Sequence, residues 1–358
     1  MKKILIFSLN YYPKYVGGAE VAIKEIVERQ DKNKFEFHMV TLRFDSNLPI
    51  YEVIHGIHIH RIGFTKPGAT IFELKNSFLK YNKYYFQFAA FLKAAQLHRQ
   101  YTFDAVWAMM AHSCGVPAGL FKTFFPRVKY ILTLQEGDPP GQIENLAKPV
   151  WPLFVRGFTK ADIIQPISTF LNNWASRMGH TRYRTVIPNA VDVKQFTREI
   201  MPGEINEVKQ KLGKKDGEVW LITTSRLVYK NGVDDVINAL KDLPTKFHFA
   251  VLGIGPEEDK YKEMVNKLNL SDRVHFVGEV KHPLMAVYLK ACDIFIRPSR
   301  SEGMGNSFVE AMSMRMPVVA TTEGGLSDFI FDMQTAFVVP KNAPQAITEA
   351  ILKIDTLD

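Results

Sequence analysis

Apolar residues along this chain cluster in short runs, separated by stretches with helical spacing. In the first half the runs are KKILIFSL, FEFHMVTL, IHIHRIGF, AVWAMM, KYILTL and ADIIQPIS. In the second half they are VWLITTS, FHFAVLG, RVHFVGE, CDIFIRP and PVVATTE. Short runs rich in β-branched and aromatic residues read as buried strands. Between them the spacing predicts helices over Ala19–Gln30, Val233–Lys241, Glu257–Leu268 and Phe308–Met314. Strand and helix alternate, so the fold class is α/β with parallel sheets. The stretch IPNAVDVKQFTREIMPGEINEV interrupts the series with Pro188, Pro202 and Gly203, and a new series starts at Val219. Two Rossmann-like, doubly wound domains are expected, residues 1–190 and 191–358. In such sheets ligands sit beyond the carboxyl ends of the strands. Each strand-to-helix turn is therefore a candidate site.

Composition narrows the class. The chain has 358 residues, 46% hydrophobic and 23% charged, enough for two globular cores. Two cysteines, Cys114 and Cys292, make no disulfide framework, which suits a reducing cytosol. No apolar run approaches the roughly 18 residues of a membrane helix. The opening MKKILIFSLNYYP has too short an apolar core for a signal peptide and reads as a first strand. Net charge is +8, split as +11 over residues 1–190 and −3 over the rest. A basic first half suits phosphate groups, nucleic acid or an anionic membrane face, and equally a solvated surface. No RNA- or DNA-binding module signature accompanies it, so nucleic acid is not an expected partner.

Three turns could carry chemistry. In NYYPKYVGGAEVAIKEI, Gly17 and Gly18 let the backbone approach a ligand just before a helix N-terminus. A plain tight turn would look the same. In TTSRLVYKNGVDDVINAL, Arg226 and Lys230 lie between a strand and a helix, where two cations suit a diphosphate. In CDIFIRPSRSEGMGNSFVEAM, Glu302 sits in a glycine turn, where a carboxylate can accept hydrogen bonds from sugar or ribose hydroxyls. The amides of Gly303, Met304, Gly305 and Asn306 could meet phosphate oxygens there. Ser307 and Glu310 match a Ser-x-x-Glu capping box, which gives Glu310 a purely structural alternative. Gly324 and Gly325 mark a further turn, TTEGGLSDF.

The set SRLVYKNG, GIGP, PSRSEGMGNSFVEAM and MPVVATTEGGLSD, in this order, resembles the carboxyl-terminal domain of family-4 retaining glycosyltransferases. The GGAE turn resembles their amino-terminal domain and PNAVD their linker. The resemblance is specific over 220–330 and loose over 50–185. It implies the GT-B fold, two Rossmann-like domains facing across a cleft. It implies a nucleotide-diphosphate sugar as donor and a hydroxyl of a glycan, lipid-linked glycan or small molecule as acceptor. By the same resemblance Glu310 binds the ribose, Glu302 faces the donor sugar, and Arg226 with Lys230 holds the diphosphate. No Asp-x-Asp is present, so no metal and no other cofactor is expected. The alternatives are a GT-B epimerase or phosphorylase, or a non-catalytic nucleotide-sugar-binding subunit.

The chain also departs from the family pattern. Asn231 stands where many members carry the phosphate lysine, one residue after Lys230. Trp107 and Met109 replace a His-x-His, leaving His112 as the catalytic-side histidine, and Gln135 replaces another histidine, with Asp138 nearby on the acceptor side. The carboxyl-terminal crossing helix of the family is expected to be missing or truncated after ITEAILKIDTLD. His55, His58 and His60 read as an alternating strand, with no nearby acid or cysteine to complete a metal site. The basic, aromatic segment 75–101 has two readings. Phe78, Tyr85, Phe88 and Leu92 form the buried face of an ordinary helix, or the segment rests on an anionic membrane near a lipid-linked acceptor. The expected location is the cytoplasm, with peripheral contact at the inner membrane face left open.

Overall fold

The computed structural model describes residues 1–14, 16–70, 73 and 77–357. Tyr15 of the first glycine turn, and Lys75 and Asn76 of the basic-aromatic segment, lie outside the described residues. The chain divides into two compact units, Met1–Pro188 and Asn189–Asp358.

The first unit is built on eight strands: β1 (Lys2–Phe7), β2 (Phe35–Leu42), β3 (Tyr51–Ile54), β4 (Ile57–Ile62), β5 (Ala105–Met109), β6 (Lys129–Leu134), β7 (Ile163–Pro166) and β8 (Tyr183–Arg184). Their order is β3-β4-β2-β1-β5-β6-β7-β8. Among the described residues, only the β3–β4 pair is antiparallel. The order reverses between β1 and β5, and a ligand crevice forms outside the strand ends at such a switch point.

The second unit has six strands, all parallel: β9 (Val219–Thr224), β10 (Phe247–Leu252), β11 (Val274–Gly278), β12 (Ile294–Arg297), β13 (Val318–Ala320) and β14 (Phe337–Val338). Their order, β11-β10-β9-β12-β13-β14, reverses between β9 and β12. The expected α/β architecture with two Rossmann-like parallel sheets is thus present. The central strands are buried on both faces. Leu221, Phe249 and Ile296 pack under one helical layer, and Trp220, Ile222 and Phe295 under the other. Each large side chain removed from water contributes about 1.5–3 kcal/mol. The last helix, Pro344–Asp355, seats Ile347, Ile351 and Ile354 in the same core.

Three expectations need correction. The helix after β12 runs over Asn306–Ser313, not from Phe308, with Gly305 as its N-cap at φ 80°. Ser307 therefore lies inside the helix, and no Ser307–Glu310 capping box forms. The helix Asn82–Tyr101 buries Phe86, Ala90, Ala94 and Leu97, a different face from the one expected. Small alanines let a helix lie close on its neighbours, so they fix the packed face. Phe78, Tyr85, Phe88 and Leu92 stay exposed, at 53%, 41%, 46% and 65%. Finally, Glu36 on β2 lies beside His38 and His58, so an acid does stand near the histidines of β4.

Candidate functional site

At the switch point of the second unit, β9 and β12 lie side by side and send their turns past the sheet edge. Arg226 and Lys230 follow β9, and Glu302 and Glu310 follow β12. The turns are locked together by backbone contact. Gly232 sits at φ 70°, and a Cβ on it would lie 2.3 Å from the Pro298 carbonyl oxygen. Gly324 sits at φ 65°, with a Cβ position 2.1 Å from the Glu302 carbonyl oxygen. Gly324 thus serves close packing on the Glu302 turn, and Gly325 N–H donates to that same carbonyl at 2.9 Å.

The centre of this site is Arg297, the last residue of β12, which the sequence reading did not single out. Its guanidinium is buried and donates to Ser307 Oγ at 2.7 Å, to Ser299 Oγ at 3.1 Å and to the Glu302 carboxylate. It also lies over the Phe308 ring, 5.2 Å from the centroid. Burial pushes its pKa down to about 10; nearby Arg226 adds to that and Glu310 opposes it. Glu302 thus pairs directly with this buried cation, and the charges of Arg226 and Glu310 act on it. The only advance signal was an arginine closing an apolar strand.

Glu302 is itself buried, and its pairing with Arg297 gives it a structural partner that the sequence did not reveal. Glu310 is not spent on its helix cap. Its Oε1 takes a hydrogen bond from His282 Nε2 at 3.1 Å. His282 in turn meets Gln195, whose Nε2 lies 3.2 Å from the ring Nδ1 and donates to the His282 carbonyl at 3.0 Å. Gly303 and Met304 are buried, whereas Gly305 and Asn306 are half-buried at the helix start.

Around the β9 turn, Arg226 is exposed and Lys230 half-buried. Asn231 is buried and donates to the Arg226 carbonyl at 2.7 Å, so it braces the loop. Arg300 ties both turns together. Its backbone N–H donates to the Lys230 carbonyl at 2.7 Å, and its guanidinium pairs with Asp234 and Asp235 at 2.8–3.0 Å. The same guanidinium stacks 4.1 Å above the Tyr229 ring.

The first unit brings together a second set. Gly17 caps the helix Gly18–Glu28, and its N–H donates to the buried Glu20 at 2.8 Å. The space where a Gly18 Cβ would stand is open. Trp107 and Met109 are buried in the sheet, with Trp107 Nε1 donating to Thr133 Oγ1 at 2.9 Å. His112 sits in the single turn Ala111–Gly115 after β5, and burial lowers its pKa. It shares a small cavity with Met110, Glu136, Gly137, Asp138 and Ile143. Gln135 is half-buried and Asp138 exposed beside it. Glu136 is the residue missed here. It is buried and accepts the Ala111 N–H, and among the described residues its Oε2 has no hydrogen-bond partner. Burial pushes its pKa up to about 7.

Comparisons with known proteins agree with this geometry. Glycosyltransferase Family 4 matches residues 16–195, and Glycosyl transferases group 1 matches residues 204–356. Alpha-monoglucosyldiacylglycerol synthase of Streptococcus pneumoniae is 27% identical over 340 residues, covering 92% of this chain and 73% of that protein. Among solved structures, sucrose-phosphate synthase from Thermosynechococcus elongatus superposes with a TM-score of 0.81 at 19% identity, over 100% of this chain and 90% of its own. Anabaena HepE, solved with UDP and glucose, gives 0.78 at 20% identity over 100% and 90%.

Proposed function

The chain belongs to the family-4 glycosyltransferases of GT-B fold, and from that premise we propose that it moves a hexosyl group from a nucleotide-diphosphate sugar to an acceptor hydroxyl with retention of configuration. The observation that carries this reading is the buried Arg297–Glu302 pair at the β9–β12 switch point, from which the strand-end segments bearing Arg226 and Glu310 also emerge. A diphosphate arriving there meets Arg226 and Lys230, which neutralise charge as the nucleotide departs. Amides of the Gly303–Asn306 turn add donors for phosphate and sugar oxygens. Glu310, held by His282, hydrogen-bonds the ribose hydroxyls, and Glu302, held by Arg297, meets the donor sugar.

In the transfer, the bond from the anomeric carbon to the phosphate oxygen breaks and the bond to the acceptor oxygen forms on the same face. The acceptor proton passes to the departing phosphate oxygen. No protein nucleophile and no metal take part. In the first unit we assign Gly17 and Gly18 to donor binding, His112 to catalysis, and Gln135 and Asp138 to the acceptor side.

The UDP-bound neighbour makes uridine donors the first to test, and the glycolipid-synthase relative favours a lipid-linked acceptor. A membrane-bound acceptor also fits the exposed face of the helix Asn82–Tyr101. There Tyr81, Tyr84, Tyr85, Phe88 and Leu92 stand outward near Lys80 and Lys93. Such a face suits peripheral contact with an anionic cytoplasmic membrane surface.

Calorimetric titration with UDP, GDP, ADP and their sugar conjugates, on the parent and on Glu310→Ala, tests the donor site. Selective binding that Glu310→Ala weakens is expected. Binding that ignores the substitution removes the ribose role. Nuclear magnetic resonance of the product's anomeric centre then tests retention, and turnover in excess chelator tests independence from metal.

A further inference from the structure

Outside the candidate site, the first unit carries a second cluster of chemistry-bearing side chains. Glu36 and His38 lie two residues apart on β2 and so share one face of the sheet. His58 is the parallel-register partner of His38 on β4. One ligand atom from each of the three lies within 4.8 Å of the others. We propose that Glu36, His38 and His58 form a binding site for a borderline divalent cation of the zinc type, which staples β2 to β4.

The donor set of two imidazoles and one carboxylate suits such a cation and leaves a fourth position for water. All three ligands stand on strands, so the backbone holds their spacing. Each histidine has a polar neighbour at its other ring nitrogen, and the two rings, 18° from parallel with centroids 4.7 Å apart, turn toward each other to share the cation. His60 Nε2 lies 3.2 Å from His38 Nδ1, and the Tyr51 hydroxyl lies 2.8 Å from His58 Nδ1. The Glu36 side chain is 18% exposed while His38 is 1% exposed, giving an entry path with a shielded floor.

Without a cation, His38 Nε2 and Glu36 Oε1 sit 2.7 Å apart as a hydrogen bond. A cation takes the place of that proton. The proton moves to His38 Nδ1 and donates to His60 Nε2, and the His60 proton shifts to its own Nδ1, so none is released. The opposing group is Lys3, whose Nζ lies 3.8 Å from Glu36 Oε1 and competes for the carboxylate.

The cluster lies toward the amino ends of β2 and β4, whereas the candidate turns follow the carboxyl ends of their strands. Its effect is therefore on folding: binding free energy at a site absent from the unfolded chain adds to stability. Donor binding by the second unit stays as it is.

The test uses the full chain without an added histidine tag, stripped of metal. Zinc chloride is titrated by calorimetry, and cobalt(II) chloride by visible absorption. One equivalent is expected, with cobalt d–d bands and a thermal midpoint that rises with zinc. His58→Ala and the near-isosteric Glu36→Gln each weaken zinc binding by at least about tenfold. Lys3→Met tightens it, because the competing charge is gone. Circular dichroism of the metal-free variants confirms folding, and Glu36→Gln keeps the test alive if His58→Ala unfolds. The proposal is overturned by no binding up to about 100 µM zinc, or by binding that both ligand variants leave unchanged, since other histidines would then hold the metal.

Discussion

Removing either half of the Arg297–Glu302 pair should unfold the donor-side turns before it reveals anything about catalysis. The two side chains are 10% and 7% exposed, so neither charge can turn to water without moving the turn. Arg297→Met leaves the Glu302 carboxylate with Ser299 Oγ at 3.3 Å as its remaining side-chain donor. Glu302→Leu leaves the guanidinium with Ser307, Ser299 and the Phe308 face. Leaving one buried charge unpaired costs about 3–5 kcal/mol. Removing both charges leaves no unpaired ion, so the double variant should cost several kcal/mol less than the sum of the singles. Urea unfolding at neutral pH measures the three costs. Hydrogen exchange of peptides spanning β9 and β12 assigns them to the second unit. Single variants within about 0.5 kcal/mol of the parent, or costs that simply add, would refute the reasoning. Glu302 would then be free to be read from kinetics alone.

Other consequences can be checked separately. Glu136 has its pKa raised to about 7 by burial, so the folded state holds a proton that the unfolded chain releases near the usual carboxylate value. Stability from this group is present below that value and is lost as pH rises through 7. Its charging in the fold costs on the order of 3 kcal/mol by pH 8. Glu136→Gln should therefore be more stable than the parent at pH 8 and lose that advantage near pH 5, as measured by urea midpoints at both values. Gly324→Ala forces a Cβ to 2.1 Å from the Glu302 carbonyl at φ 65°. Its melting temperature should fall and its affinity for UDP-sugar should weaken together, whereas an unchanged midpoint would show that the turn has room to shift. Phe88→Ser with Leu92→Ser should cut co-sedimentation with phosphatidylglycerol vesicles by at least about tenfold and leave UDP binding intact.

What could be read in advance depended on how local each signal is. The central strands were legible because β9, β10 and β12 are contiguous apolar runs, buried on both faces. The edge strand β3 was not, because YEVI alternates between exposed and half-buried and carries a charge. Arg226, Lys230 and Glu302 were legible as turn residues, and Glu310 as a residue of the helix that follows, because strand ends in a doubly wound sheet are where turns must lie. Their partners were not. Arg297 and Glu136 gain their roles from burial, and burial depends on neighbours distant in sequence. The Ser-x-x-Glu pattern misled because a left-handed Gly305 starts the helix earlier, which moves Ser307 from cap to interior.

The histidines of β4 show the same limit most sharply. Their alternation along one strand was plain, but the carboxylate that could join them stands 22 residues before His58 in sequence, on the neighbouring strand. Only the parallel register that sets His38 against His58 brings Glu36 into reach. A site shared by adjacent parallel strands leaves no fixed spacing in the chain, because the crossover between the strands can have any length. Motif reading therefore favours sites within one turn, such as Glu302 to Glu310, and is blind to sites that span a ladder. The Arg297 centre combines both kinds: its partners Ser299, Glu302 and Ser307 are local, whereas the charge of Arg226 acts on it only because β9 and β12 are neighbours in the sheet.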